Sequence, residues 1–159
     1  MDGYEFRQLY DRNARRLYNF ILWTTGNRSV CDDILQTVFI KVWRSAKVPA
    51  DTGEQTAWLY AIARNACIDH FRSSRHFTEY NDEIGGTAER ADTEDDGRLA
   101  WHEVAQLPGT ERAIVYLHLK MGYSYGEIGR FMEMTENHVR VTAFRALRKL
   151  RNILIRKGL

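Results

Sequence analysis

At 159 residues, with 44% apolar and 12% aromatic side chains, the chain is long enough for one domain or two small ones and too rich in core residues for wholesale disorder. The net charge of +2 hides a partition: residues 1–75 carry 11 basic and 8 acidic side chains, residues 98–159 carry 11 and 5, and residues 76–97 carry 8 acidic side chains against a single Arg90. That asymmetry says more about partners than the average does. Met1 to Asn13 is charged and holds no signal-peptide core, and no run approaches the roughly 18 apolar residues of a membrane span, so a cytoplasmic chain that does not itself cross a membrane is expected.

Chemistry-bearing residues are sparse. Cys31 and Cys67 are far apart, with no second Cys or His at metal-ligand spacing, and read as reduced, buried small hydrophobes. His70, His76, His102, His118 and His138 are scattered, with no Ser/His/Asp arrangement, phosphate loop or ligand cluster. The sequence therefore points to no enzyme, no metal, no cofactor and no small-molecule substrate.

Helical periodicity dominates the chain order, and Pro49 and Pro108 both fall between helical patterns. Phe6 to Trp23 places Leu9, Tyr10, Leu17, Phe20 and Ile21 near one face. Gly26 to Ser29 breaks it, and Ser29 with Asp32 three residues on resembles a capping box for a second helix running to about Ala46. That helix has Ile34, Val38 and Val42 on one ridge and Leu35, Phe39 and Trp43 on the next. A loop, Val48 to Gln55, precedes a third helix from Thr56 to Ser73. Residues 76–97 show no sustained period and suit a flexible acidic linker. Helices resume at Arg98–Gln106, Gly109–Met121, Ser124–Met132 and Glu136–Arg156. The expected fold is all-α: two small helical domains, residues 1–75 and 98–159, on a tether.

The C-terminal pattern is the more specific one. Ser124 as N-cap with Glu127 opens a short helix, Met132 to Thr135 makes a turn, and a basic amphipathic helix follows. This is a helix-turn-helix arrangement, whose second helix enters the major groove, and Gly129 suits a close approach of the two helices. Residues 137–159 carry seven Lys or Arg and no acid. Arg140, Val141, Phe144, Arg145 and Arg148 fall within an arc of about 140°, opposite Val139, Ala143, Ala146, Leu147, Leu150, Ile153 and Leu154. An Arg at the groove floor pairs with guanine and one at the rim holds phosphate, and the sequence leaves that assignment open. Phe144 in a charged arc calls for a partner such as a thymine methyl.

Asp32-Asp33-Ile34-Leu35-Gln36-Thr37-Val38-Phe39-Ile40-Lys41-Val42-Trp43 resembles the region 2 helix of bacterial sigma factors, and Thr56 to Arg72 resembles the promoter-contacting helix that follows it. Leu107-Pro108, Arg112, Gly122 to Ile128 and Val139 to Leu150 resemble region 4. Order and spacing are similar to the extracytoplasmic-function (ECF) class, which retains regions 2 and 4. The resemblance implies a region 2-like domain of three or four helices that docks on core RNA polymerase and melts the -10 element, and a region 4-like domain that reads the -35 element of promoter DNA.

By the same resemblance, Asp33, Gln36, Thr37, Ile40, Lys41 and Arg44 face the clamp helices of the largest polymerase subunit, and region 4 meets the flap of the second subunit. Thr37 stands where the family often has Glu. Arg64 and Asn65, on one arc with Ile68 and Arg72, correspond to readers of the -10 element, while Asp69 and Arg72 suit an intrahelical ion pair. Asp51, Thr52 and Gln55, with Trp58 below, would line a pocket for a base flipped from the non-template strand, where hydrogen bonds must offset unstacking. Thr135 and His138 fall near phosphate, and Arg140, Val141, Phe144, Arg145 and Arg148 at the -35 element. Glu133 and Asn137 replace frequent glycines of the turn, with Asn137 the residue expected to tolerate a left-handed backbone. An anti-sigma partner, which in this class can hold the chain at the inner membrane, is also implied. A stand-alone helix-turn-helix regulator is the rival reading; it predicts a ligand pocket in residues 1–75 and tight duplex binding without polymerase.

Overall fold

The first helix begins three residues before the apolar period does. A computed structural model describes residues 1–73 and 102–158; the predicted linker at 76–97 and residues 98–101 lie outside them. Helix α1 (Gly3–Thr25) opens on a reciprocal cap: the Asp2 carboxylate accepts from the Glu5 N–H at 2.8 Å and the Glu5 carboxylate from the Asp2 N–H at 3.1 Å. It closes on Gly26, whose φ of 66° lets its N–H reach the Leu22 carbonyl at 2.7 Å. Helix α2 (Arg28–Arg44) is capped by Asn27, which accepts from the Ser29 N–H at 3.0 Å, so the cap lies two residues ahead of the expected Ser29. Helix α3 (Thr52–Ser73) begins four residues before the expected Thr56, because the Asp51 carboxylate accepts from the Glu54 N–H at 3.0 Å.

These three helices bury Leu17, Phe20, Ile21, Ile34, Val38, Val42, Leu59 and Tyr60 against one another. Removing such side chains from water contributes roughly 1.5–3 kcal/mol each, more than the helix propensity of any one of these residues. Cys31 and Cys67 are buried and not joined in a disulfide, and burial pushes the Cys67 thiol well above its usual range.

The C-terminal set starts with helical residues 102–104 and α4 (Gly109–Val115), which runs into a π-helical turn, Tyr116–Lys120. Helix α5 (Tyr125–Met132) carries the predicted Ser124/Glu127 capping box, with 3.1 Å for each hydrogen bond. Helix α6 (Glu136–Arg156) has the boundaries the sequence predicts. Among the described residues there is no strand.

The two sets share one core. Trp23 of α1 packs on Tyr116 with ring centroids 5.4 Å apart, and Tyr60 of α3 stacks on Phe131 of α5 at 4.9 Å. Arg112 of α4, with no exposed surface, donates from Nη2 to the Thr24 carbonyl at 2.7 Å, satisfying an acceptor at the end of α1.

Candidate nucleic-acid interface

Gly129 sets the geometry of the helix-turn-helix. A Cβ there would stand 2.6 Å from the Met134 carbonyl oxygen, so α5 and the turn approach as closely as only glycine permits. The Met134 N–H donates back to the Gly129 carbonyl at 2.9 Å, which locks the turn. The left-handed residue is Glu133, at φ 55° and ψ 43°, and not Asn137, which lies inside α6. Thr135 caps α6 by accepting from the His138 N–H at 3.1 Å.

From that cap the basic arc of α6 projects outward. Arg140, Val141, Phe144, Arg145 and Arg148 are all exposed, Phe144 at 69% and Val141 at 46%. Val139, Ala143, Ala146 and Ile153 are buried on the opposite side, whereas Leu147 and Leu154, expected with them, sit at its exposed border. Five of the seven cations divide by role. Lys149 holds the buried Glu111 at 2.9 Å and Lys157 holds the buried Glu103 at 3.0 Å, fastening the distal half of α6 to the scaffold. Arg140 pairs with Glu136 at 3.2 Å on the surface, while Arg145 and Arg148 make no ion pair with another described residue. Thr135 and His138 are exposed at the same end of the helix as Arg140.

On α3, Arg64, Asn65 and Ile68 are half-buried and Arg72 is exposed. Arg64 donates to the Asn65 side-chain oxygen at 3.3 Å and lies 3.8 Å from Glu133 of the turn. Asp69 pairs with Lys41 of α2 at 3.6 Å and not with Arg72, because α2 and α3 run side by side at that point. The supposed base pocket is partly committed: Asp51 is a helix cap, Thr52 starts α3 and accepts from the Thr56 hydroxyl at 2.9 Å, and Gln55 donates to the Pro49 carbonyl at 3.1 Å. Trp58 is half-buried.

On α2 the six expected docking residues, Asp33, Gln36, Thr37, Ile40, Lys41 and Arg44, are all exposed. Sequence periodicity placed Trp43 on a core ridge, yet it is 53% exposed, its ring edge-on to Phe6 at 5.1 Å. Phe6, Tyr10, Leu35, Phe39, Ile40 and Trp43 therefore wall an apolar groove of about 510 Å³ between α1 and α2, with Asp32, Gln36 and Arg44 at its rim. The groove escaped the sequence reading because Phe6 and Tyr10 of α1 close it against α2. Among the described residues no cluster of His, Cys, Asp or Glu could hold a metal, and no helix is long and apolar enough to cross a membrane.

The described residues form an all-helical fold with a helix-turn-helix whose second helix shows an exposed basic arc, a polar face on α3 and an apolar groove between α1 and α2, the architecture of a sigma-70-type protein. Residues 9–77 match the Sigma-70 region 2 family and residues 104–152 the Sigma-70 region 4 family. The chain is 30% identical to the ECF RNA polymerase sigma factor SigX of Bacillus subtilis, over 92% of this chain and 81% of that one. It is 30% identical to the RNA polymerase sigma factor CarQ of Myxococcus xanthus, over 94% and 88%, and 29% identical to the ECF sigma factor SigL of Mycobacterium tuberculosis, over 96% and 90%. The fold is similar to that of the sigma factor RpoE of Bartonella quintana, solved in complex with the anti-sigma factor NepR, with a TM-score of 0.71 at 19% identity over 94% of this chain and 96% of that one. The chain belongs to the ECF RNA polymerase sigma factors.

Proposed function

We propose that the chain divides promoter recognition between residues 1–75 and residues 98–159, with residues 76–97 as the connection between them. The exposed strip Asp33, Gln36, Thr37, Ile40, Lys41 and Arg44, extended by the groove residues Phe6, Tyr10 and Trp43, docks on the clamp helices of core RNA polymerase. Arg64 and Asn65 read the -10 element, Ile68 and Arg72 follow the melted strand, and Trp58 and Gln55 border the extruded base. On α6, Val141 and Phe144 give apolar contact to base edges and Arg140 and Arg145 reach the groove, while Arg148, Thr135 and His138 hold phosphate. The acidic residues 76–97 run against the basic walls of the RNA exit region, and region 4 meets the flap.

The observation that carries this reading is the pairing of two different surfaces on one small chain: a protruding basic arc with an exposed Phe144, and an apolar groove with an exposed Trp43 and Ile40. The first suits nucleic acid, and the second suits a protein, because desolvating an aromatic-lined groove favours an apolar partner and not a phosphate. The chain acts as a specificity subunit and leaves bond-making to the polymerase. It works in the cytoplasm, where an anti-sigma protein that covers these faces would hold it idle, at the inner membrane if that protein is anchored there. Ile40→Glu tests the docking face: affinity for purified core polymerase should fall at least about tenfold, while helical content and duplex binding stay unchanged. Unchanged core affinity would remove α2 from the polymerase interface.

A further inference from the structure

The left-handed position of the turn falls on Glu133, which releases Asn137 from the backbone role its residue type suggests. Asn137 is instead the second residue of α6, and it is exposed. Its amide makes no hydrogen bond with another described residue. Asn competes with the backbone for hydrogen bonds and so favours turns and caps over helices. The cap of α6 is already made by Thr135, which accepts from the His138 N–H at 3.1 Å. Neither a turn nor a cap therefore accounts for Asn137.

Its placement does. At about 100° per residue, Asn137 lies about 60° round from Arg140, inside the arc that ends at Arg145 about 140° away. It shares the middle of that arc with Val141, Phe144 and Arg148, all exposed. Arg140 lies at the edge of the arc, where its Nη2 pairs with the Glu136 carboxylate at 3.2 Å. That carboxylate is close to α5: a Cβ on Gly126 would stand 3.7 Å from it. The pair draws the Arg140 guanidinium toward α5, and Asn137 leads the central line at the N-terminal end of α6. A recognition helix contacts base edges with its N-terminal residues.

The chemistry of the side chain selects one base. An amide presents a donor and an acceptor side by side, and in the major groove only adenine shows the complement, an N7 acceptor beside an N6 donor. Four residues of helix rise about 6 Å, on the order of two base pairs. An adenine met by Asn137 thus neighbours the pairs whose thymine methyls suit Val141 and Phe144.

We propose that Asn137 is a specificity-determining residue of the -35 element, its Nδ2 donating to adenine N7 and its Oδ1 accepting from adenine N6. This rests on the reading of α6 given above and adds to it a residue outside the basic set. The test is runoff transcription by the full chain with saturating bacterial core polymerase, on a promoter library randomised across both elements, followed by sequencing of the templates that fire. Wild type should select adenine at one position of the -35 element. Asn137→Ala should lower that preference at least about tenfold and leave the other positions and the -10 element unchanged. Asn137→Asp keeps the acceptor and loses the donor, so its preference at the same position should move to cytosine, whose N4 donates. Melting curves of both variants should overlay the wild type's, because the side chain is exposed. A -35 profile that neither variant changes, or a loss spread over every position, would overturn the proposal and leave the sigma reading standing. Wild type that enriches no -35 element at all would overturn both.

Discussion

Replacing Gly129 with Ala tests whether the helix-turn-helix is fixed by close backbone approach. The added Cβ would stand 2.6 Å from the Met134 carbonyl oxygen, 3.5 Å from the Glu136 nitrogen and 3.6 Å from the Thr135 carbonyl carbon. All three are main-chain atoms, so no rotamer change relieves the first contact, and the Met134 N–H bond back to Gly129 resists withdrawal of the turn. Overpacking of this kind costs about 1–3 kcal/mol, and an immovable backbone neighbour puts it near the upper end. Alanine returns up to about 1 kcal/mol of helix propensity, leaving a net loss of about 2 kcal/mol. For a chain of this size that lowers the thermal midpoint by about 4–8 °C. Gly126→Ala is the internal control, because its Cβ would meet nothing nearer than the Glu136 carboxylate at 3.7 Å, an ordinary contact. It should be neutral or stabilising by up to about 0.5 kcal/mol in the same thermal melt. Equal stability of the two variants would refute the argument from close approach.

Other consequences can be checked separately. Phe144→Ala should weaken binding of a -35 duplex about tenfold and shift stability by less than about 0.5 kcal/mol, because the ring is 69% exposed; gel-shift and melting curves measure the two. Arg148→Ala should weaken all duplexes alike and lower the slope of log affinity against log salt by about one, read from binding at several salt concentrations. Neither cysteine should react with a thiol reagent in the native chain, and both should react in denaturant, since both are buried and burial disfavours the Cys67 thiolate. Burial, reinforced by Tyr123, raises Tyr116 from 10.0 to about 12 and raises Tyr60 as well. The folded chain thus favours the neutral phenols, a contribution that is whole below pH 10 and declines as pH rises through about 12; phenolate absorbance should appear together with loss of near-ultraviolet dichroism.

Local chemistry was legible in the sequence wherever a short-range rule decides the outcome. Ser124 with Glu127, the boundaries of α6 and the outward arc around Phe144 all follow from caps and period, and the structure places them as expected. Starts set by residues outside the apolar period were missed: Asp2 with Glu5 begins α1 and Asp51 begins α3 before periodicity shows. The left-handed turn position fell on Glu133, and not on the intrinsically more tolerant Asn137, because register with Gly129 outweighs residue preference. Long-range pairings were illegible for a plainer reason. Lys41 with Asp69 and Trp43 with Phe6 join different helices, Arg16 with Tyr123 joins α1 to the connection before α5, and no periodicity within one helix encodes its neighbour's position.

The most direct measurement of the central claim is runoff transcription with purified bacterial core polymerase on a randomised promoter library, followed by sequencing of the templates that fire. Two separated elements should be enriched, with Arg64→Ala relaxing selection at the -10 element and Arg140→Ala at the -35 element. Core polymerase that stays silent while the chain alone binds duplex tightly would contradict the account.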